Sequence, residues 1–339
     1  MSARTWFWLA FVLASALASE RAPNASRAAL DAVVGRGKTT TTTTTTRRKT
    51  QAKTKTRAKE DEGEDDVRWR ARSIARAWSR ARVPHRMFAH FYVVGVVANA
   101  RACATHWKRM ANANANEMEA MTAIAVVLGL FQLHIIRRLY ESAFVAVYGA
   151  EATMHVGAYV LGLAYYAVAS QTWASVAETS AHDDARLAMS KSLRLAVAFA
   201  GAWLFAYGSI NQYRCHAILA NLRRAKRSRD APSSRSYFIP RGGWFERFSC
   251  AHYTAEVVLY CGLLLIIIPQ LAYASDVFGT FARAREPAAL VAAVVANLSV
   301  AASRAHAWYL GHFPHYPKNR TAMFPSTRVF ATATATATA

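Results

Sequence analysis

Tyr237-Phe-Ile-Pro-Arg-Gly-Gly-Trp-Phe-Glu-Arg-Phe-Ser-Cys-Ala-His-Tyr-Thr-Ala-Glu256 is the stretch that decides the fold. It is read together with Ala305-His-Ala-Trp-Tyr-Leu-Gly-His-Phe-Pro-His-Tyr-Pro-Lys-Asn-Arg320 and the residues on to Phe324-Pro325. Each segment is polar, aromatic and turn-rich, and each abuts a long apolar run. Arg, His, Tyr and Glu are costly at the mouth of membrane helices, so their presence there marks a site.

The surrounding chain fits that setting. Its 339 residues are 53% hydrophobic yet carry a formal net charge of +22. The average hides two populations: apolar runs near the length that crosses a hydrocarbon core, and strongly basic connectors. A nucleic-acid binder would share the charge but not the runs. The runs fall at 5–17, 87–103, 120–136, 143–169, 193–210, 254–274 and 288–303, the second broken by Asn99 and Arg101. They predict an all-α integral membrane protein of about seven transmembrane helices. Cys103, Cys215, Cys250 and Cys261 are scattered without a CxxC pair, so neither zinc nor a disulfide framework is indicated.

Residues 1–20 read as a first, signal-anchor-like transmembrane helix. Ala16-Leu17-Ala18 resembles a cleavage site, but the basic residues that follow, Arg36 to Lys59 among them, argue for retention with a lumenal start. Residues 21–82 are a low-complexity cytosolic segment, largely disordered by composition, with a Thr run, a basic block and an acidic block. At its end, residues 68–86, with Trp69, Ile74 and Trp78, suit an amphipathic helix on an anionic surface. A membrane domain spans 83–330, and 331–339 is a disordered tail. The loop 214–247 carries nine Arg and Lys against Asp230 and Glu246, which places it in the cytosol; the loops 105–119, 171–191 and 275–286 then fall in the lumen. The N-terminus is therefore lumenal and the C-terminus cytosolic. The sequons at Asn24 and Asn319 both fall on the cytosolic side in this topology.

Several chemistries lack their motifs. No GxGxxG follows a strand, no phosphate-binding GxxxxGK[ST] loop occurs, and no nucleophile elbow is present. His312 and His315 form one HxxH without the second box that a membrane di-iron enzyme needs, so no metal is expected. What remains is one cytosolic-side cluster of Arg, His, Tyr, Gln and Glu. Arg forks match phosphate and aromatic rings stack on bases, so the cluster suits a dinucleotide.

The span 83–330 resembles the polyprenol reductase branch of the steroid 5α-reductase family. The resemblance is carried by Val83-Pro-His-Arg-Met-Phe-Ala-His-Phe-Tyr92, Arg137-Arg-Leu-Tyr-Glu141, Met154-His-Val156, Gly162-Leu-Ala-Tyr-Tyr166, Asn211-Gln-Tyr-Arg-Cys-His216, Asn221-Leu-Arg-Arg224 and the two opening stretches. Gly35-Arg-Gly-Lys-Thr39 is similar to the family's loop after the first helix. The resemblance implies a multi-pass enzyme of the endoplasmic reticulum membrane with a cytosolic-side NADPH pocket. It would saturate the α-isoprene unit of a long-chain polyprenoid on the route to dolichol for protein N-glycosylation. It also implies cofactor-binding roles for Arg138, Gln212, His216, Arg223, Tyr237, His252, Glu256 and Tyr309. Lys318 and Arg320 lie in the tail motif, and their charge, not the resemblance, assigns them to phosphate.

The chain departs from the family at His252 and Phe238, and the steroid enzymes' polarising Tyr falls at Ile135. His306, just before Trp308-Tyr309, is the replacement donor, which makes His306 and Tyr309 the candidate catalytic pair. Two alternatives stay open: a steroid-type reductase and an isoprenylcysteine-type methyltransferase binding S-adenosylmethionine. A non-enzymatic scaffold is a third. Plainer roles stand beside each assignment. His155 can be a packed helix residue, Arg137 and Arg138 a helix anchor, and Glu256 a partner for a loop Arg. Lys318 and Arg320 can hold anionic lipid, and Trp244 and Phe245 can be interfacial belt residues.

Overall fold

The computed structural model describes residues 2–17, 78, 80–114, 117–149, 151–179, 189–228, 237–270 and 277–324. The low-complexity segment, the Gly35 loop, the Asn24 sequon and the 331–339 tail lie outside these residues.

Seven long helices run through the described chain: α1 (Ala3–Leu17), α2 (Phe88–Met110), α3 (Met118–Tyr140), α4 (Val156–Thr179), α5 (Lys191–Ser228), α6 (Ala251–Ile267) and α7 (Val277–His312). Among the described residues, five helical stretches are long and apolar enough to cross a membrane: His85–Met110, Met118–Val145, Lys191–Ala225, Ala251–Gln270 and Ala284–His312.

The helices alternate in direction, and side-chain contacts at the two ends show it. At one end Arg194 of α5 grips Glu119 of α3 at 2.6 Å, while His106 of α2 meets the Met121 carbonyl of α3 at 2.8 Å. At that same end Glu286 of α7 accepts from Arg4 of α1 at 2.8 Å and Ser175 of α4 at 3.0 Å, and also from Ser2. The other end carries the polar residues of the site. Residue 2 and residues 312–324 therefore lie at opposite ends of the bundle. α1 belongs to the packed body: Trp8 is fully buried and its indole N–H donates to Thr172 Oγ1 of α4 at 2.9 Å.

Asn99 does not break α2. It is fully buried, and its amide donates to the Leu128 carbonyl at 2.9 Å and to Gln132 Oε1 at 2.8 Å, both on α3. A polar side chain that donates across a helix pair joins the helices instead of ending one. Other boundaries also move. The apolar run 143–169 is not one helix. Glu141–Val145 forms a π-turn, and β2 (Thr153–His155) pairs antiparallel with β1 (Arg82–Pro84) before α4 begins. The all-α expectation thus misses a two-stranded ribbon. Pro84 fixes an extended φ of −60° and disfavours helix at Val83 before it.

The expected loop 275–286 is helical from Val277, with Pro287 inside α7, and α2, α4 and α5 run past their apolar windows to Met110, Thr179 and Ser228. A hydropathy window ends where apolar residues end. A helix continues while its backbone bonds do.

α5 and α6 make the closest crossing. A Cβ on Gly262 would lie 2.6 Å from both the Gly201 carbonyl oxygen and the Phe205 nitrogen, and one on Gly208 would lie 2.8 Å from the Ala255 carbonyl oxygen. These glycines let the two backbones touch. Gly262→Val is expected to lower stability by about 1–3 kcal/mol, as overpacking does. Gly129→Ala, which has open space around it, should change stability far less. Thermal unfolding of the two variants in the same detergent checks this, and equal melting temperatures would contradict the packing.

Candidate active site

The polar end of the bundle is built around a carboxylate. The last turn of α3 brings Arg137 and Arg138 inward, and Glu141, one helical turn on from Arg137, lies beside both at the start of the π-turn. Glu141 is 1% exposed. It pairs with Arg137 through Oε1 and with Arg138 through Oε2 at 2.5 Å, and His216 Nδ1 of α5 lies 2.6 Å from the same Oε2. Arg138 also donates to the Tyr92 hydroxyl of α2 at 2.7 Å.

From Arg137 the network runs on. Arg137 donates to Gln212 Oε1 at 2.5 Å and to His134 Nδ1 at 3.2 Å, and Gln212 donates to Glu256 Oε2 of α6 at 2.9 Å. Four helices and one turn meet in this network. Buried charges persist only when paired in this way.

The two opening stretches meet beside it. Ser249 N–H donates to the Thr321 carbonyl at 2.8 Å, Cys250 N–H to Ala322 at 3.0 Å, and Thr321 N–H to Arg247 at 3.0 Å. Arg320, 3% exposed, donates to the Pro240 carbonyl at 2.9 Å and to Glu246 Oε2 at 3.4 Å. Thr254 Oγ1 donates to the Met323 carbonyl at 2.6 Å. Gly242 and Gly243 take φ values of +94° and +55°, which favour glycine, and they turn the Gly242 N–H onto Glu246 Oε1 at 2.6 Å.

The anticipated residues fall into three groups. Arg138, Gln212, His216 and Glu256 join one network, and the His252 ring lies 5.6 Å from that of His216. Tyr237, His306, Tyr309 and Arg320 gather around the joined stretches. Tyr237 packs edge-on against Trp308 at 4.9 Å, Tyr309 stacks on Tyr316 at 5.2 Å, and His306 Nδ1 lies 2.6 Å from Ser249 Oγ. Two residues lie apart: Arg223 donates to the Val147 carbonyl at 2.6 Å on an exposed rim, and Lys318 is exposed.

Phe245 is not an interfacial residue. It is fully buried with Cys215 and Ala251, because the Gly-Gly turn folds it inward, while Trp244 packs on Tyr207 at 5.5 Å. His155 lies at the end of β2, not within a helix, and is structural: it accepts from Gly157 N–H at 3.0 Å through Nδ1, so its Nε2–H donates to the Trp78 carbonyl at 2.9 Å. Glu256 pairs with Gln212, not with a loop Arg. Sequence reading passed over Glu141, Tyr92 and His134 as site residues. The Arg-Arg-x-x-Glu spacing, which sets i,i+3 and i,i+4 pairs, held the signal for Glu141.

The donor set fits a phosphate-bearing dinucleotide. Arg138 Nε and His134 Nε2 are buried and have no hydrogen-bond partner among the described residues. A ligand acceptor would satisfy them, and Glu256 and Gln212 offer acceptors for an amide.

The site thus belongs to a multi-pass helical membrane protein with a buried network of Arg, Glu, His and Gln at one end. A family description, 3-oxo-5-alpha-steroid 4-dehydrogenase, matches residues 152–328. Polyprenal reductase 1 of Arabidopsis thaliana is 35% identical over 277 residues, covering 72% of this chain and 81% of its own. Polyprenal reductase of Mesocricetus auratus is 31% identical over 277 residues, covering 72% and 78%, and that of Caenorhabditis elegans is 27% identical over 260 residues, covering 72% and 79%. The chain belongs to the steroid 5α-reductase family and is an oxidoreductase acting on a CH–CH group.

Glu141→Gln removes the carboxylate paired directly with two largely buried guanidinium groups, leaving only the more distant Glu256. It is expected to cost about 3–5 kcal/mol of stability, as breaking a buried ion pair does, read from denaturant or thermal unfolding; a loss below about 1 kcal/mol, typical of an exposed pair, would contradict the central role given to Glu141.

The Gly242 N–H, and after it Arg320, hold the Glu246 carboxyl below its usual value of 4.5. A lowered folded-state value stabilises the fold above the unfolded-state value, and that contribution disappears as pH falls through the folded-state value. Glu246→Gln should therefore lower stability at neutral pH and flatten its fall on acidification. Parallel melts at neutral and acid pH check this; identical acid dependence in the two proteins would contradict it.

Proposed function

We propose that this protein reduces the α,β-unsaturated aldehyde polyprenal to its α-saturated form with NADPH, at the cytosolic face of the endoplasmic reticulum membrane, on the route to dolichol for N-glycosylation. The observation that carries this reading is the buried Arg–Glu–His–Gln network at one end of a lipid-facing bundle, in a chain whose relatives are named polyprenal reductases. In this reading all seven helices cross the membrane, α1 is retained, and the end bearing the network faces the cytosol. The opposite-end placement of the two chain ends and the basic loops support that topology.

The chain's residues divide the work. Arg138, His216, Arg223, Lys318 and the rings of Tyr237, His252 and Tyr309 bind and orient the cofactor's phosphates and rings. Gln212 and Glu256 take its carboxamide. Arg320 holds the binding loop in place from behind. When bound, NADPH supplies the hydride. A hydride adds readily to an alkene only if the resulting charge is delocalised, and in an enal that charge reaches the carbonyl oxygen. An allylic alcohol has no such sink. His306, beside Tyr309 at the helix end, is the donor to that oxygen.

Purified enzyme with NADPH and no alcohol dehydrogenase is expected to saturate polyprenal and leave polyprenol unchanged. NADPH should raise its melting temperature where S-adenosylmethionine does not, and Glu256→Gln should raise the KM for NADPH. Comparable saturation of the free alcohol would overturn the substrate assignment.

A further inference from the structure

We propose that Ser249 and Tyr316 form a proton relay behind His306, fixing its proton on Nε2 and resupplying it through Nδ1. The inference rests on the reading of His306 as the acid of an enal reduction.

Ser249 Oγ lies 2.6 Å from His306 Nδ1, and the Tyr316 hydroxyl donates to Ser249 Oγ at 2.7 Å. Ser249 and Tyr316 are 3% and 4% exposed. A serine hydroxyl has one proton. With Tyr316 donating to its oxygen, that proton goes to Nδ1, which leaves the imidazole proton on Nε2. The order Tyr, Ser, His also follows acidity, since a phenol is a stronger acid than an aliphatic alcohol. The geometry is fixed from both sides. Ser249 and Cys250 are bonded through their backbone to Thr321 and Ala322, and the Tyr316 ring is stacked on Tyr309 with the Arg320 guanidinium 5.5 Å from its centroid.

The relay answers a chemical difficulty. A neutral imidazole that gives up its only N–H becomes an anion, a poor outcome inside a membrane protein. With the relay, hydride adds to the β carbon and the alkene pair shifts so that negative charge develops on the carbonyl oxygen. The Nε2 proton passes to that oxygen as the Ser249 proton moves to Nδ1 and the Tyr316 proton moves to Ser249. His306 and Ser249 end neutral, the substrate is an enol that tautomerises to the saturated aldehyde, and the charge rests on the Tyr316 phenolate beside Arg320. After turnover solvent protonates Nε2 while the Nδ1 proton returns to Ser249 and the Ser249 proton to Tyr316, which restores the starting tautomer. Ser249 and Tyr316 are positioning residues, since both act through His306.

The test uses the full-length purified enzyme with NADPH and polyprenal. Ser249→Ala and Tyr316→Phe are each expected to lower kcat about 10²-fold, the low end for a general-acid contribution, with the KM for NADPH unchanged. Ser249→Thr, which keeps the hydroxyl, should restore most of the rate. In a His306→Ala background, Ser249→Ala should cause no further loss, because the two act as one unit. Full kcat in Ser249→Ala, or the same fold loss in both backgrounds, overturns the relay.

Nitrogen NMR of enzyme labelled only at histidine gives a readout free of turnover, with the His306 signals assigned by their loss in His306→Ala. The expected state is a bare Nδ1 and a protonated Nε2, disturbed in Ser249→Ala. A protonated Nδ1 in the wild type overturns the relay whatever the substrate is. If the wild type does not reduce polyprenal, the proposed function fails and the tautomer alone decides the relay.

Discussion

The pairing of Glu141 with Arg137 and Arg138 is the constraint on which the rest of the site depends. Two guanidinium groups turned into an apolar bundle need a counter-charge at hydrogen-bonding distance. Glu141 continues α3 in helical conformation, its N–H on the Arg137 carbonyl, so helix geometry sets the i,i+4 pair with Arg137 and the i,i+3 pair with Arg138. The π-turn at Glu141–Val145 follows, closing with Ala146 N–H on the Glu141 carbonyl at 2.7 Å, and ends the helix there. π-turns of this kind occur often at functional sites. Once Glu141 is fixed, Arg138 reaches Tyr92 on α2, and Arg137 reaches Gln212 on α5 and through it Glu256 on α6. The network sets where four helices meet before any ligand is present.

A second constraint closes the other side. The C-terminal stretch returns after α7 and pairs with residues 247–250, and Arg320 holds the Gly-Gly turn by the Pro240 carbonyl and Glu246. Arg320 is nearly excluded from solvent, so its charge is used for shape. That geometry differs from the phosphate contact expected of it. Arg223 and Lys318 are exposed near this end, as are Arg224, Arg241 and Arg247. The site therefore has a rigid interior and a charged rim.

Much of this was legible in sequence, and the gaps have physical causes. Apolar runs located the seven long helices, five of which are long and apolar enough to cross a membrane, because a helix in lipid must satisfy its backbone internally and cover itself with apolar side chains. The two polar stretches stood out because their residues are expensive at that depth. Asn99 was read as a break because a hydropathy window cannot see Leu128 and Gln132 on the neighbouring helix. The ribbon between 82–84 and 153–155 depends on a pairing some seventy residues apart. Phe245 and Trp244 are adjacent and equally apolar, and only the Gly242–Gly243 turn decides that the first is buried. Glu141 went unassigned because Arg137 and Arg138 were weighed as cofactor ligands or a helix anchor, although their i,i+4 and i,i+3 spacing to Glu141 was in the sequence.

The far end of the bundle follows a different logic. There Glu286, 8% exposed, accepts from Ser2, Arg4 and Ser175, while Trp8 covers Thr172. Removing α1 would leave a carboxylate of α7 without its cation and uncover the surface of α4 where Trp8 packs edge-on against Tyr165 at 5.5 Å. α1, which resembles a cleavable leader in composition, contacts the fold through Arg4, on the buried Glu286 carboxylate, and through the buried Trp8 indole one turn later. The same two contacts fix the direction of α1, and with it the separation of residue 2 from the site by the full length of the bundle.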